Sequence, residues 1–171
     1  SSSSAASDVY KRQLILFSGK TGSGKTTSMY SVLDYINEQQ QACICTLEYD
    51  MLVRHHQSKR GIIQQRTIGR DVPDFASGIS VIMSQDPDVI MMGELRTVED
   101  IQMTLTVAQT GHLVLTQLHE DTPLSAIQKI LDAFPQENLP LVRRQLSYSL
   151  LAVSSQRLLP RKDGQGRTAA Y

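Results

Sequence analysis

"LILFSGKTGSGKTT", Leu14–Thr27, decides the fold. Four apolar residues, Leu14–Phe17, read as a short buried strand. Gly19–Thr26, "GKTGSGKT", then fills every position of the P-loop pattern, and Lys25–Glu38 carries Met29, Val32, Leu33 and Ile36 at helical spacing. Strand, glycine-rich loop and helix in that order are the context in which this pattern makes a phosphate cradle. Gly19, Gly22 and Gly24 free the backbone to curl, so that successive N–H groups point inward at phosphate oxygens. The helix adds its positive N-terminal end. In this pattern Lys25 reaches the β- and γ-phosphates and the Thr26 hydroxyl ligates Mg²⁺, with Thr21, Ser23 and Thr27 completing the binding stretch. The expected ligands are ATP and Mg²⁺.

A P-loop needs a second strand that brings a carboxylate toward the metal and the attacking water. "DPDVIMMGELR", Asp86–Arg96, supplies it. Val89–Met92 has no polar face, so it reads as a strand covered on both sides. Glu94 follows at once, after a glycine expected to let the backbone turn, and a metal would balance its charge.

The rest of the chain alternates in the same way. Ala42–Leu47 reads as a strand, Tyr49–Val72 as polar and irregular, and Asp74–Gln85 as a helix capped by Asp74. Thr97–Thr110 is an amphipathic helix stopped by Gly111, and His112–Leu118 is a strand. Ser125–Ala133 and Leu139–Leu151 are helices, and Ser154–Leu159 is the last clear strand. Such alternation predicts an α/β domain with a mainly parallel sheet and helices on both faces.

Zero formal net charge gives no global attraction to nucleic acid or to an anionic membrane. No apolar run approaches the ~20 residues of a membrane helix. Cys43 and Cys45 alternate along a strand, so they share a face as small buried hydrophobes. Spaced i and i+2, they are poorly placed for a disulfide and point to a reduced, cytoplasmic domain. The basic clusters Arg54–Arg70 and Arg157–Arg167 read as solvated loops, and His55 and His56 as solvated side chains.

The ends are of a different character. Residues 1–13, "SSSSAASDVYKRQ", show no apolar periodicity and no signal-peptide core. Ser3–Gln13 looks like the in-frame translation of a transposase adaptor used to prepare sequencing libraries; a disordered Ser-rich tail is the alternative. The domain is expected to span residues 14–171 as a fragment truncated at both ends, with "GRTAAY" a strand cut before its partner.

Taken together, these blocks resemble the secretion ATPase superfamily, in particular its type IV pilus retraction (PilT-like) branch. That family carries a P-loop, an acidic "Asp box", a Walker B strand ending in Gly-Glu, and a "His box". Gly19–Thr26 matches the first and "DPDVIMMGELR" the third. "TGHLVLTQLH" places His112 and His119 at the two His-box positions. "DAFP", "VRRQLSYSLLAVSSQRLLPR" and "DGQGRTAAY" match further downstream. Assembly and type II secretion relatives usually carry a CxxC…CxxC zinc module before this point; "SSQRLLPRKDGQGR" passes through without a cysteine, which favours the retraction branch.

The resemblance implies a RecA-like core of a homo-hexameric motor powering pilus retraction or related secretion. It implies hydrolysis at a subunit boundary, a missing N-terminal domain and a platform protein of the inner membrane as partner. By its pattern Glu94 serves metal and water, Glu48 supports water or Mg²⁺, and His119 senses the γ-phosphate, while His112, after Gly111, is either structural or braces the site from behind. It also implies a cytoplasmic location peripheral to the inner membrane, with no insertion into it.

Departures accompany the matches. The family's Asp box reads roughly Thr-Ile-Glu-Asp-Pro-Ile-Glu, whereas Thr46–Leu52 reads "TLEYDML". Glu48 keeps the first glutamate, but the second aligns with Leu52, which accepts no proton. Asp50 stands two positions away. Two family arginines are replaced by Ser80 and Ser84, and Lys129 stands at a third; Arg66 and Arg96 match. Two other readings therefore stay open: a nucleotide-binding regulator with little hydrolysis, and a RecA-like nucleic-acid motor.

Overall fold

The structure, a computed structural model, describes residues 13–51, 59–162 and 164–171. Its strands are β1 (Gln13–Ser18), β2 (Cys43–Glu48), β3 (Ile62–Thr67), β4 (Val89–Met92), β5 (Leu113–Leu118), β6 (Leu150–Ser155), β7 (Arg157–Pro160) and β8 (Arg167–Ala170). The helices are α1 (Lys25–Gln39), α2 (Phe75–Met83), α3 (Val98–Ala108), α4 (Pro123–Asp132) and α5 (Leu139–Ser149). Six strands form one parallel sheet in the order β3-β2-β4-β5-β1-β6, and β7 and β8 pair antiparallel beside it.

Strand alternation sorts the core into two layers. Leu14, Leu16, Cys45, Leu47, Ile90, Met92, Val114 and Leu118 face α2, α3, α4 and α5. Phe17, Ile44, Val89, Met91 and Leu115 face α1, which meets them with Met29, Tyr30 and Leu33. Val89–Met92 is buried at every position, as a central strand with no polar face must be. Cys43 and Cys45 face the same layer as free thiols, and Cys45 is buried. The helix starts follow local chemistry. Asp74 accepts from the Ser77 N–H at 2.7 Å, and Thr97 and Thr122 each close a capping box, with Asp100 and Ser125 respectively.

Several expectations are corrected. The stretch Tyr49–Val72 holds a strand, β3, which lies at the sheet edge and carries an exposed Ile62. An edge strand needs only one apolar face, so "IIQQRT" gave little periodic signal. Strand β1 starts at Gln13, which the sequence assigned to the tail; the other residues of that tail, 1–12, lie outside the described residues. So do His55, His56 and Leu52.

The expected strand Ser154–Leu159 is broken at Gln156, and its first part belongs to β6, which begins at Leu150, within the helix expected over Leu139–Leu151. β6 pairs with β1, and the Gln156 N–H donates to the Ser18 carbonyl at 2.8 Å as the last bond of that ladder. There β1 leaves the sheet for the phosphate loop, so the chain has no further parallel partner and turns into a hairpin. In it Arg167–Ala170 pairs with Arg157–Pro160, so "GRTAAY" finds its partner within this chain, and Arg157 and Arg167 lie on strands, exposed to solvent. Among the described residues no helix is long and apolar enough to cross a membrane.

Candidate active site

Because all six strands run the same way, their carboxyl ends share one edge, the edge at which open α/β sheets bind ligands. There β1 ends in the phosphate loop, β2 in Glu48, β4 in Gly93–Glu94 and β5 in His119. Strand β5 separates β1 from β4, so Gln117 projects between the loop and the acidic strand end. A cleft of about 520 Å³ opens here, lined by Thr21, Gly22, Gly24, Lys25, Thr26, Thr27, Glu48, Tyr49, Asp50, Gly93, Glu94, Gln117, His119 and Leu158. Of the binding stretch read from the sequence, Gly19 and Ser23 stand apart. They line an adjoining cleft of about 360 Å³ on the other side of the loop.

The loop is held from within and from behind. Lys25, 4% exposed, donates from Nζ to the carbonyls of Gly19 at 2.7 Å and Lys20 at 2.9 Å. An ammonium has three donors, so one remains for an anionic oxygen. Burial pulls the Lys25 pKa below the usual lysine value. Gly19 (φ 147°) and Gly24 (φ 88°) adopt conformations open mainly to glycine, and each faces Gln156. A Cβ on Gly19 would stand 2.5 Å from the Gln156 carbonyl oxygen, and one on Gly24 would stand 2.7 Å from its Nε2. Gln156 also accepts from the Ser28 hydroxyl at 2.7 Å. Thr26 Oγ1 donates to Gln117 Oε1 at 3.3 Å.

The two carboxylates sit in unlike surroundings. Glu94 is partly exposed; Arg96 donates to its Oε2 from Nε at 3.1 Å and pairs with it from Nη2 at 3.0 Å. His119 Nε2 lies 3.7 Å from its Oε1. Arg96 Cζ lies over the Tyr49 ring, 3.6 Å from the centroid. Glu48 is 2% exposed, and burial pushes its pKa up against the hydrogen bonds it accepts. Tyr30 donates to Oε1 at 2.6 Å and Oε2 at 2.5 Å, and Thr46 to Oε2 at 3.1 Å.

Gly93 lies between these two groups, and its φ is not in the left-handed region. It therefore serves close approach rather than the turn expected from sequence: an added Cβ would stand 3.0 Å from Glu48 Cγ.

The remaining candidates separate clearly. His112 is buried, and its Nδ1 donates to the Pro87 carbonyl at 2.7 Å, which makes it structural. Ser80 on α2, Ser84 at its C-terminal cap and Lys129 on α4 are exposed, away from the cleft lining, and Arg66 lies half-buried on β3. Asp50 does line the cleft. Sequence reasoning missed Tyr30, Gln117 and Gln156. The only signals were a polar residue in an apolar strand, Gln117, and an aromatic on the buried face of α1, Tyr30.

Mg²⁺ keeps several waters and binds through one or two carboxylates plus phosphate oxygens, so a hydroxyl and two carboxylates around one cleft form a donor set that suits it. Thr26, Glu94 and Glu48 provide that set.

Strand order, loop and acidic strand end together define a RecA-like P-loop nucleotide-binding domain. Residues 5–170 match the family model described as "Type II/IV secretion system protein", and the chain belongs to that family. It is 44% identical over 160 residues to the twitching motility protein of Neisseria gonorrhoeae, covering 94% of this chain and 42% of that protein. It is 42% identical over 160 residues to the type IV pilus retraction ATPase PilT of Pseudomonas aeruginosa, covering 94% and 46%. The solved structure of the pilus retraction motor PilT with bound ADP superposes with a TM-score of 0.86 at 38% identity, covering 98% of this chain and 49% of that one. The chain thus spans less than half the length of these curated relatives.

Proposed function

We propose that this chain is the ATP-binding and ATP-hydrolysing core of a homo-hexameric motor powering type IV pilus retraction or related secretion. One observation carries the reading: the phosphate loop, Glu48, Glu94 and His119 converge on a single cleft from the ends of four different strands. The similarity to a retraction motor that binds ADP supports the same ligand here.

The roles follow from position. The loop N–H groups and Lys25 grip the phosphates, and Thr26 and Glu94 would hold Mg²⁺, which would supply positive charge to offset that of the phosphates. Glu94 orients the attacking water and takes up its proton as the γ-phosphoryl bond breaks. Glu48 supports that water or the metal from the neighbouring strand. His119 lies close enough to Glu94 to exchange that contact for a γ-phosphate oxygen, so its hydrogen bonding follows the state of the nucleotide. Closure between this domain and an N-terminal one would turn hydrolysis into movement. The platform protein of the pilus in the inner membrane is the proposed partner, reached from the cytoplasm without membrane insertion.

The test is steady-state ATP hydrolysis by the full-length protein, with Lys25→Ala as the blank. Turnover that vanishes in the variant supports the motor. Tight ATP binding without turnover would instead favour the regulator, the reading to which Leu52 in the Asp box points. DNA- or RNA-stimulated turnover would favour a nucleic-acid motor.

A further inference from the structure

Position 30 on α1 asks for an apolar side chain, since Met29 and Leu33 beside it fill the layer under the sheet. A phenylalanine would occupy the same volume. Tyrosine instead brings a hydroxyl, 3% exposed as a residue, to the midpoint of the Glu48 carboxylate, within hydrogen-bond reach of both oxygens. Thr46 is the other donor to Glu48, and among the described residues neither of its partners is a cation. A buried carboxylate left to itself would swing toward solvent or bind a proton. Here it stays at the wall of the nucleotide cleft, and Gly93 leaves it room to do so.

The same helix begins with Lys25 and Thr26, and Tyr30 follows a little over one turn later. One rigid element therefore holds the groups that grip phosphate and the donor that aims Glu48. The link does not pass through the chain after β2, where Asp50 is already exposed.

We infer that Tyr30 is a positioning residue for ATP hydrolysis, fixing the Glu48 carboxylate relative to the phosphate loop through its hydroxyl. The inference rests on the proposed role of Glu48. A single hydrogen bond to a charged group is worth about tenfold or more in an equilibrium or a rate. Lys25 and Thr26 line the nucleotide cleft and Tyr30 stands behind that lining, so its effect belongs in kcat and not in nucleotide affinity.

The experiment measures kcat, KM for ATP and ADP affinity in the full-length protein for Tyr30→Phe, Glu48→Gln and the double variant. Tyr30→Phe is expected to lower kcat about tenfold while KM and ADP affinity stay within about twofold. In the Glu48→Gln background the same change should cost nothing further, because its target is gone. Unchanged kcat in Tyr30→Phe, or an equal loss in both backgrounds, overturns the inference while leaving the role of Glu48 intact. Full turnover in Glu48→Gln overturns that role, and the inference with it. Should Tyr30→Phe fail to fold, 2,3-difluorotyrosine at position 30 keeps the shape and alters the donor strength; unaltered kcat then overturns the inference.

Discussion

Gly93→Ala isolates close approach from every other effect a glycine can have. Its φ is ordinary, so alanine brings no backbone strain. The new methyl would meet Glu48 Cγ at 3.0 Å and Glu48 Cβ at 3.4 Å, tighter than comfortable packing allows. Glu48 can yield only by loosening its hydrogen bonds to Tyr30 and Thr46, because both ends of the carboxylate are engaged. Overpacking of this kind costs about 1–3 kcal/mol. The overlap is a few tenths of an ångström against one side chain, so the lower part, about 1–2 kcal/mol, applies. For a domain of this size that lowers Tm by about 2–8 °C. The displaced carboxylate should also lower kcat several-fold, with ADP affinity little changed. Gly111→Ala is the control: its φ is 94° with nothing within 4 Å of the added methyl, so it should lower Tm through backbone strain and leave kcat alone. Thermal unfolding and steady-state hydrolysis on the two variants decide the matter. A Gly93→Ala protein with the parent's Tm and kcat would refute the reasoning that Gly93 exists to admit Glu48.

Two more predictions concern the carboxylates. Glu94→Gln keeps the shape but loses the charge, so it should leave ATP binding largely intact and abolish most turnover; undiminished turnover in single-turnover assays would sink the proposed role. Glu48 binds its proton more tightly in the folded chain than in the unfolded one, so the native state holds more protons just above the ordinary glutamate value near 4.3. Stability due to this group is therefore highest below that value and falls as pH rises through the raised folded pKa. Glu48→Gln should lack that decline, so its stability relative to the parent rises across the window; a constant difference from about pH 4 to 8 in denaturant titrations would contradict it.

Much of the site was legible because its chemistry is written in consecutive residues. A P-loop is a local object: glycines at fixed offsets, a lysine and a threonine opening a helix, all within "GKTGSGKT". Glu94 was legible for a similar reason, as a carboxylate directly beyond a strand with no polar face. Strand β3 was not, since an edge strand with one covered face has weak periodicity. Nor was the break at Gln156, where pairing ends because β1 turns away and not because of any residue in "SSQRLL".

The amino-acid order by itself determined the alternating α/β plan, the phosphate loop and the carboxylate that faces it, because each depends on periodicity or spacing along a single segment. Only the tertiary structure decided which distant groups meet. Tyr30 reaches Glu48 because α1 crosses the sheet face as far as β2, and Gln156 backs Gly19 and Gly24 because β6 lies beside β1. Gly93 faces Glu48 because β4 and β2 are neighbours in the sheet. These contacts depend on strand order, which non-local packing selects and no short stretch of residues encodes.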